Sequence, residues 1–227
     1  MTDLDVKTGF TFDELDDRAK EKARDKFREN NLDYDWWDTV YGDAQKIGDL
    51  LGINIGEQRN RTVKGVEIRT PDISFSGFCQ QGDGCSFGGM LWVHNLNGAI
   101  ARINDEVSDS DPALNTLART AQDIYEQAVT TRMTLRLKGQ EDLDEVNDMR
   151  FLIENRNIWG STTVVTPYED DSWHDEFTES LRDYARAFAA WIYKQLEAEY
   201  GHLQSNESID DLIQSGEFIF DEFGSTI

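Results

Sequence analysis

Between residues 172 and 200, Trp173, Phe177, Leu181, Tyr184, Phe188, Trp191, Ile192, Leu196 and Tyr200 recur at steps of three and four. That spacing predicts one long amphipathic helix with Ser172 as its N-cap and a heavy aromatic stripe along one side. Each large apolar side chain is worth about 1.5–3 kcal/mol when buried. The stripe therefore reads as core, and it demands an equally apolar surface to lie on.

The rest of the chain supplies candidates. Phe12, Leu15, Ala19, Ala23 and Phe27 set one apolar face of a helix over 12–30. Thr11 and Glu14 fit a capping box at its start, Glu14–Arg18 and Asp16–Lys20 are supportive i,i+4 pairs, and Asn30-Asn31 marks its end. A second helix is predicted over 34–51, with Trp36, Trp37, Val40, Ile47, Leu50 and Leu51 apolar and Gly52 as the stop. Adjacent Trp36 and Trp37 cannot share a helix face, so one is expected in the core and the other over a neighbouring element. Val63, Val66, Ile68, Ile73 and Phe75 alternate with polar residues, and Met90 and Trp92 resume the alternation, which predicts a hairpin from about 66–78 to 85–94. Asp111-Pro112 starts a third helix. The Thr-rich stretch 129–138 and residues 158–166 read as strands, and 140–149 as an acidic turn or short helix. Ser208 with Asp211 caps a short last helix ending at Gly216, followed by a strand over 217–220. No linker or repeat divides the chain. The expectation is a single α+β domain over 1–227, with a mostly antiparallel sheet and several packed helices, including the long C-terminal amphipathic one.

Charge narrows function. The 227 residues carry 45 acids and 22 bases, a net charge of -23. Residues 1–140 hold 24 acids and 17 bases, net -7, whereas 141–227 hold 21 acids and 5 bases, net -16. Direct phosphate binding needs Lys and Arg, so nucleic acid is not an expected ligand. No apolar run approaches a membrane span, and the N-terminus does not read as a signal peptide. A dense carboxylate surface can instead imitate the phosphate backbone, with a charge every ~1.7 Å of duplex axis. The candidate partner-binding residues are Asp142, Asp144, Glu145, Asp148, Glu169, Asp170, Asp171, Asp175, Glu176 and Glu179, extended by Asp210, Asp211, Asp221 and Glu222.

One loop stands apart. Residues 75–89 read FSGFCQQGDGCSFGG. Its glycines permit close backbone approach and an anion nest of successive N–H groups. Phe78, Gly82, Asp83, Gly84, Phe87 and Trp92 are candidate ligand-binding residues, with Asp83 placed to hold a ribose hydroxyl or to cap a turn. A plain hairpin connection with aromatics packed into the core explains the same residues. The glycine spacing matches no phosphate-loop motif. Arg59, Arg61, Lys64 and Arg69 precede the loop and would offset charge near a phosphate ligand. Cys79 and Cys85 are the only cysteines, and free thiols are expected. His94, His174 and His202 give no metal-ligand spacing with them, so neither a metal nor a cofactor is expected.

The segments F12-D-E-L, Y34-D-W-W, I73-S-F-S-G-F-C-Q-Q-G-D-G-C-S-F and E217-F-I-F-D-E-F-G together resemble a family of acidic bacteriophage and prophage accessory proteins. The resemblance implies work in bacterial cytoplasm and carries no catalytic assignment. Together with the charge it leads to the expectation of an inhibitor that occupies the nucleic-acid site of a host defence or other DNA- or RNA-handling protein. The alternative is a small-ligand protein that takes a nucleotide or signal molecule at loop 77–89. A hydrolytic enzyme using Asp83, Cys79 or Cys85 is the weakest expectation, because no base, metal set or triad accompanies them.

Overall fold

The computed structural model describes residues 9–63, 66–107, 111–137, 149–156, 163–167 and 175–227. In chain order the elements are a 3-10 turn (Phe12–Glu14), α1 (Asp17–Asn30), α2 (Asp38–Leu51), β1 (Ile53–Ile55), β2 (Glu57–Val63), β3 (Val66–Pro71), β4 (Ile73–Phe75), β5 (Cys85–Phe87) and β6 (Gly89–Trp92). There follow α3 (Val93–Leu96), α4 (Ala99–Glu106), α5 (Pro112–Leu137), β7 (Arg150–Asn155), β8 (Thr163–Pro167), α6 (Asp175–Leu203) and α7 (Asn206–Ser215). The fold is α+β, with antiparallel pairing throughout the described strands. The chain divides into two compact units, Met1–Asp38 with Leu196–Ile227, and Thr39–Gln195.

The larger unit is built on a four-stranded sheet in the order β1-β6-β7-β8. Its register aligns Ile53, Leu91 and Phe151 in one row and Ile55, Gly89, Ile153 and Val165 in the next. All of these side chains are buried apart from the Gly89 position, as period-2 alternation requires of a sheet covered on one face. The expected aromatic helix is α6. Phe177, Leu181, Tyr184, Phe188, Trp191 and Ile192 are buried. Phe177 meets Phe151 of the sheet at 5.9 Å between ring centroids, and Phe188 meets Phe87 edge-on at 5.4 Å. Tyr184 donates its hydroxyl to the Leu51 carbonyl at 2.7 Å, and burial pushes that phenol well above its usual pKa. Gly89 has no side chain because none fits: a Cβ there would run into the Asn54 carbonyl oxygen across the pair.

The smaller unit packs α1 against α7 around Phe12, Leu15, Ala19, Ala23, Ile209, Ile213 and Phe220. Arg24 reaches Asp210 with two hydrogen bonds at 2.7 and 2.8 Å, which ties the two helices together beside that core. The tail closes back: Phe220 exchanges backbone hydrogen bonds with Phe10 and bridges to Thr226.

Several boundaries differ from expectation. The helix expected over 12–30 breaks at Leu15, whose extended backbone buries its side chain, and restarts with Asp16 as the N-cap accepting the Ala19 N–H at 2.8 Å. Asp16 is thereby taken from the expected pair with Lys20. The second helix begins at Asp38, and its buried face is Tyr41, Ala44, Gly48 and Leu51, with Val40, Ile47 and Leu50 only half-buried. The 129–138 strand is not formed, because α5 runs through to Leu137. The expected 66–78/85–94 hairpin is shorter: β4 pairs β5, while β6 joins the large sheet. The strand expected over 158–166 is β8, and residues 157–162 lie outside the described residues. Ser205 caps α7 in place of Ser208, whose N–H it accepts. The strand expected over 217–220 is not formed, and within it only Phe220 makes isolated bridges.

Candidate functional site

The glycine-rich loop is closed by its own carboxylate. Asp83 Oδ2 accepts the backbone N–H groups of Cys79 and Gln80 at 2.9 and 2.7 Å. The nest foreseen for an external anion is thus filled from within. Ser76 and Gly84 exchange two further hydrogen bonds across the loop base: the Ser76 N–H donates to the Gly84 carbonyl, and the Gly84 N–H to Ser76 Oγ. Phe78 folds back between Phe75 and Tyr193, at 5.7 and 5.3 Å between centroids, and the Tyr193 hydroxyl donates to the Gly77 carbonyl at 2.8 Å. Gly82 turns the chain with φ +100.

Of the six expected ligand residues, Asp83 and Gly84 line a cavity of about 360 Å³ shared with Cys85, Thr163, Arg186, Ala189, Ala190 and Tyr193. Phe87 is fully buried in the core. Trp92 belongs to a different cluster, edge-on to His94 and beneath the Arg150 guanidinium at 5.3 Å. Cys79 is exposed and Cys85 is buried, and burial pushes the Cys85 thiol up to about 12, which keeps it protonated at neutral pH. Among the described residues, no group of three or more His, Cys, Asp or Glu could hold a metal ion.

Sequence reasoning missed five cavity residues. Arg186 and Tyr193 stand seven apart on α6 with Ala189 and Ala190 between them, so two small residues leave a trough framed by long ones. Thr163 is 4% exposed, and its Oγ1 has no hydrogen-bond partner among the described residues. It also missed the polar cluster that seats the hairpin. Asn155 of β7 accepts from Ser86 Oγ at 2.6 Å and donates to Ser74 Oγ at 3.0 Å, and it lies 3.4 Å from Asp72, which Gln58 also meets.

Of the expected acidic surface, Asp142, Asp144, Glu145, Asp148, Glu169, Asp170 and Asp171 lie outside the described residues. Asp175 begins α6, although its side chain is not among those described. Glu176 is exposed. Glu179 is neutralised locally by Arg182 at 2.8 Å and Arg186 at 3.2 Å, and the Arg182 hydrogen bond holds its carboxyl below the usual range. A second acidic excess lies in the smaller unit. The smaller unit carries 20 acids against 7 bases, net -13, and the larger 25 against 15, net -10. Segment 196–227 has eight acids and no Lys or Arg. Among its described side chains only Asp210 is ion-paired, while Glu207, Asp211, Glu217 and Glu222 are exposed.

The fold defines an α+β protein whose smaller unit carries more net negative charge than the larger. The chain belongs to the family described as a domain of unknown function (DUF8835), whose model matches residues 36–206. Most of the smaller unit lies outside that match. No curated protein and no solved structure matches the chain.

Proposed function

We propose that this is a non-enzymatic phage accessory protein of the bacterial cytoplasm that binds and inhibits a host defence or other nucleic-acid-handling protein, with carboxylates standing where phosphates would. The observation that carries this reading is the base-free segment 196–227, whose exposed carboxylates are left uncompensated beside a compact core. Opposite fields would speed encounter and make it salt-sensitive. The test is affinity capture from host lysate. The expected partner is a protein that DNA or RNA displaces from the bait, and the combined variant Glu207→Gln, Asp211→Asn and Glu222→Gln captures less of it. A partner that nucleic acid does not displace would sink the reading.

A second reading rests on the 360 Å³ cavity and the unpartnered Thr163 hydroxyl within its lining. A nucleotide or signal molecule bound there would meet Arg186 and lie beside Thr163. A thermal-shift screen against nucleotides checks it, and the absence of any shift counts against it.

A further inference from the structure

The smaller unit carries a groove of about 380 Å³ in which apolar and acidic groups alternate. Phe12 and Ile213, 5% and 1% exposed, form the floor. Phe218 and Ile219 line the same groove yet stay 39% and 43% exposed. Asp13 and Glu217, both exposed, line it beside Thr11 and Gln214, whose side-chain amide donates to Asp13 Oδ1 at 3.3 Å and leaves the rest of that carboxylate open. Ile219 is held at that edge by the tail, since its carbonyl accepts the Ile227 N–H at 3.0 Å. Glu217 has a left-handed backbone, φ 51, an uncommon conformation for a side-chain-bearing residue.

We infer that this groove docks a protein segment carrying a large apolar side chain flanked by lysine or arginine. Phe218, edge-on to Phe27 at 4.7 Å, and Ile219 leave adjoining apolar surface exposed at the groove. The carboxylates decide the occupant. A second copy of this chain docked face to face would set Asp13 and Glu217 against their own like charges, which disfavours self-association. An anionic membrane surface would be repelled in the same way. A basic amphipathic segment satisfies both components, with its apolar anchor over Phe12 and Ile213 and its cations on the two carboxylates. The inference does not require that the partner's own ligand be a nucleic acid, so it stands or falls separately from the decoy reading, whose capture variant leaves Asp13 and Glu217 intact.

The test selects ligands for the full chain from a yeast-displayed library of random peptides, then measures the best by fluorescence anisotropy. Enriched peptides are expected to carry a large apolar residue beside Lys or Arg. The double variant Asp13→Lys and Glu217→Lys should switch the preferred flanks to Asp and Glu, a change of specificity that loss of structure would not produce. Both positions are exposed, so circular dichroism of this variant should match the parent. Phe218→Ser should weaken the selected peptide about tenfold or more, as truncation of an aromatic anchor does. No enrichment, or flank preference indifferent to residues 13 and 217, overturns the inference. So does a dimer in sedimentation that Ile219→Asp dissociates.

Discussion

Glu217 is the single described non-glycine residue at positive φ. It follows Gly216, which caps α7 in ordinary right-handed geometry, so the residue forced into the left-handed region is the carboxylate and not the glycine beside it. Left-handed geometry costs an L-residue roughly 1–2 kcal/mol, and glycine escapes that cost while losing some chain entropy. Glu217→Gly should therefore raise stability by about 0.5–1 kcal/mol in denaturant unfolding while weakening the groove's preference for basic flanks. A fall in stability would show that the Glu217 side chain makes contacts that outweigh its backbone geometry. Asp83 offers the opposite case. Its carboxylate holds two backbone N–H groups of an exposed loop, as an N-cap does. Losing such an acceptor costs on the order of 1 kcal/mol. Asp83→Ala should lower the unfolding free energy by about that much. A much larger loss would mean that the loop is coupled to the core through Phe78 and Tyr193.

At the level of elements, the parts with strong side-chain periodicity were legible and those governed by pairing were not. The aromatic stripe placed α6 correctly, and Asp111-Pro112 placed the start of α5, where Asp111 accepts the Ala113 N–H at 2.8 Å. The Thr-rich run 129–138 misled because β propensity is a weak preference that a helix already under way overrides. Thr116 and Thr120 show how α5 tolerates threonine, each donating its hydroxyl to the carbonyl four residues back. β7 went unread although it is an inner strand of the main sheet. Its only buried side chains are Phe151 and Ile153, and Arg150, Glu154 and Asn155 around them mask the alternation. Asn155 and Thr163, paired across β7 and β8, sit near the loop only through that register, so no local spacing could reveal them. Tyr184 is the clearest buried anchor of α6. Tyr184→Phe would strand the Leu51 carbonyl at the end of α2, and a buried acceptor left without its donor costs about 1–3 kcal/mol. Thermal unfolding should show a drop of several degrees, and an unchanged midpoint would mean that another donor replaces the hydroxyl.

For the whole molecule, two electrostatic effects run in opposite directions as pH falls. Net charge -23 makes the folded chain repel itself at neutral pH. Protonating carboxylates relieves that repulsion, so stability should rise on going from pH 7 towards about 5. Against this stand carboxylates held below their usual range in the fold. Glu21 is lowered by hydrogen bonds from Arg28 and then Arg24, and Asp221 by the backbone N–H groups of Ser225 and then Phe223. Because their folded pKa values are depressed, their contributions are fully present above the unfolded carboxylate value of about 4 and are lost as pH falls through the folded values. Both lie in the smaller unit, Glu21 on α1 and Asp221 in the closing tail, against Glu179 among the described residues of the larger one. The expected profile is a stability maximum near pH 5, followed by a decline below about pH 4 that is led by the smaller unit. Salt separates the two effects. At pH 7, raising ionic strength shortens the Debye length from ~30 Å at 0.01 M to ~3 Å at 1 M, which should raise the melting temperature. Near pH 4.5, where most of the net charge is gone, the same salt should do little. Equal salt responses at the two pH values would show that self-repulsion does not limit this fold, and the concentrated charge would then have to be explained by what it binds alone.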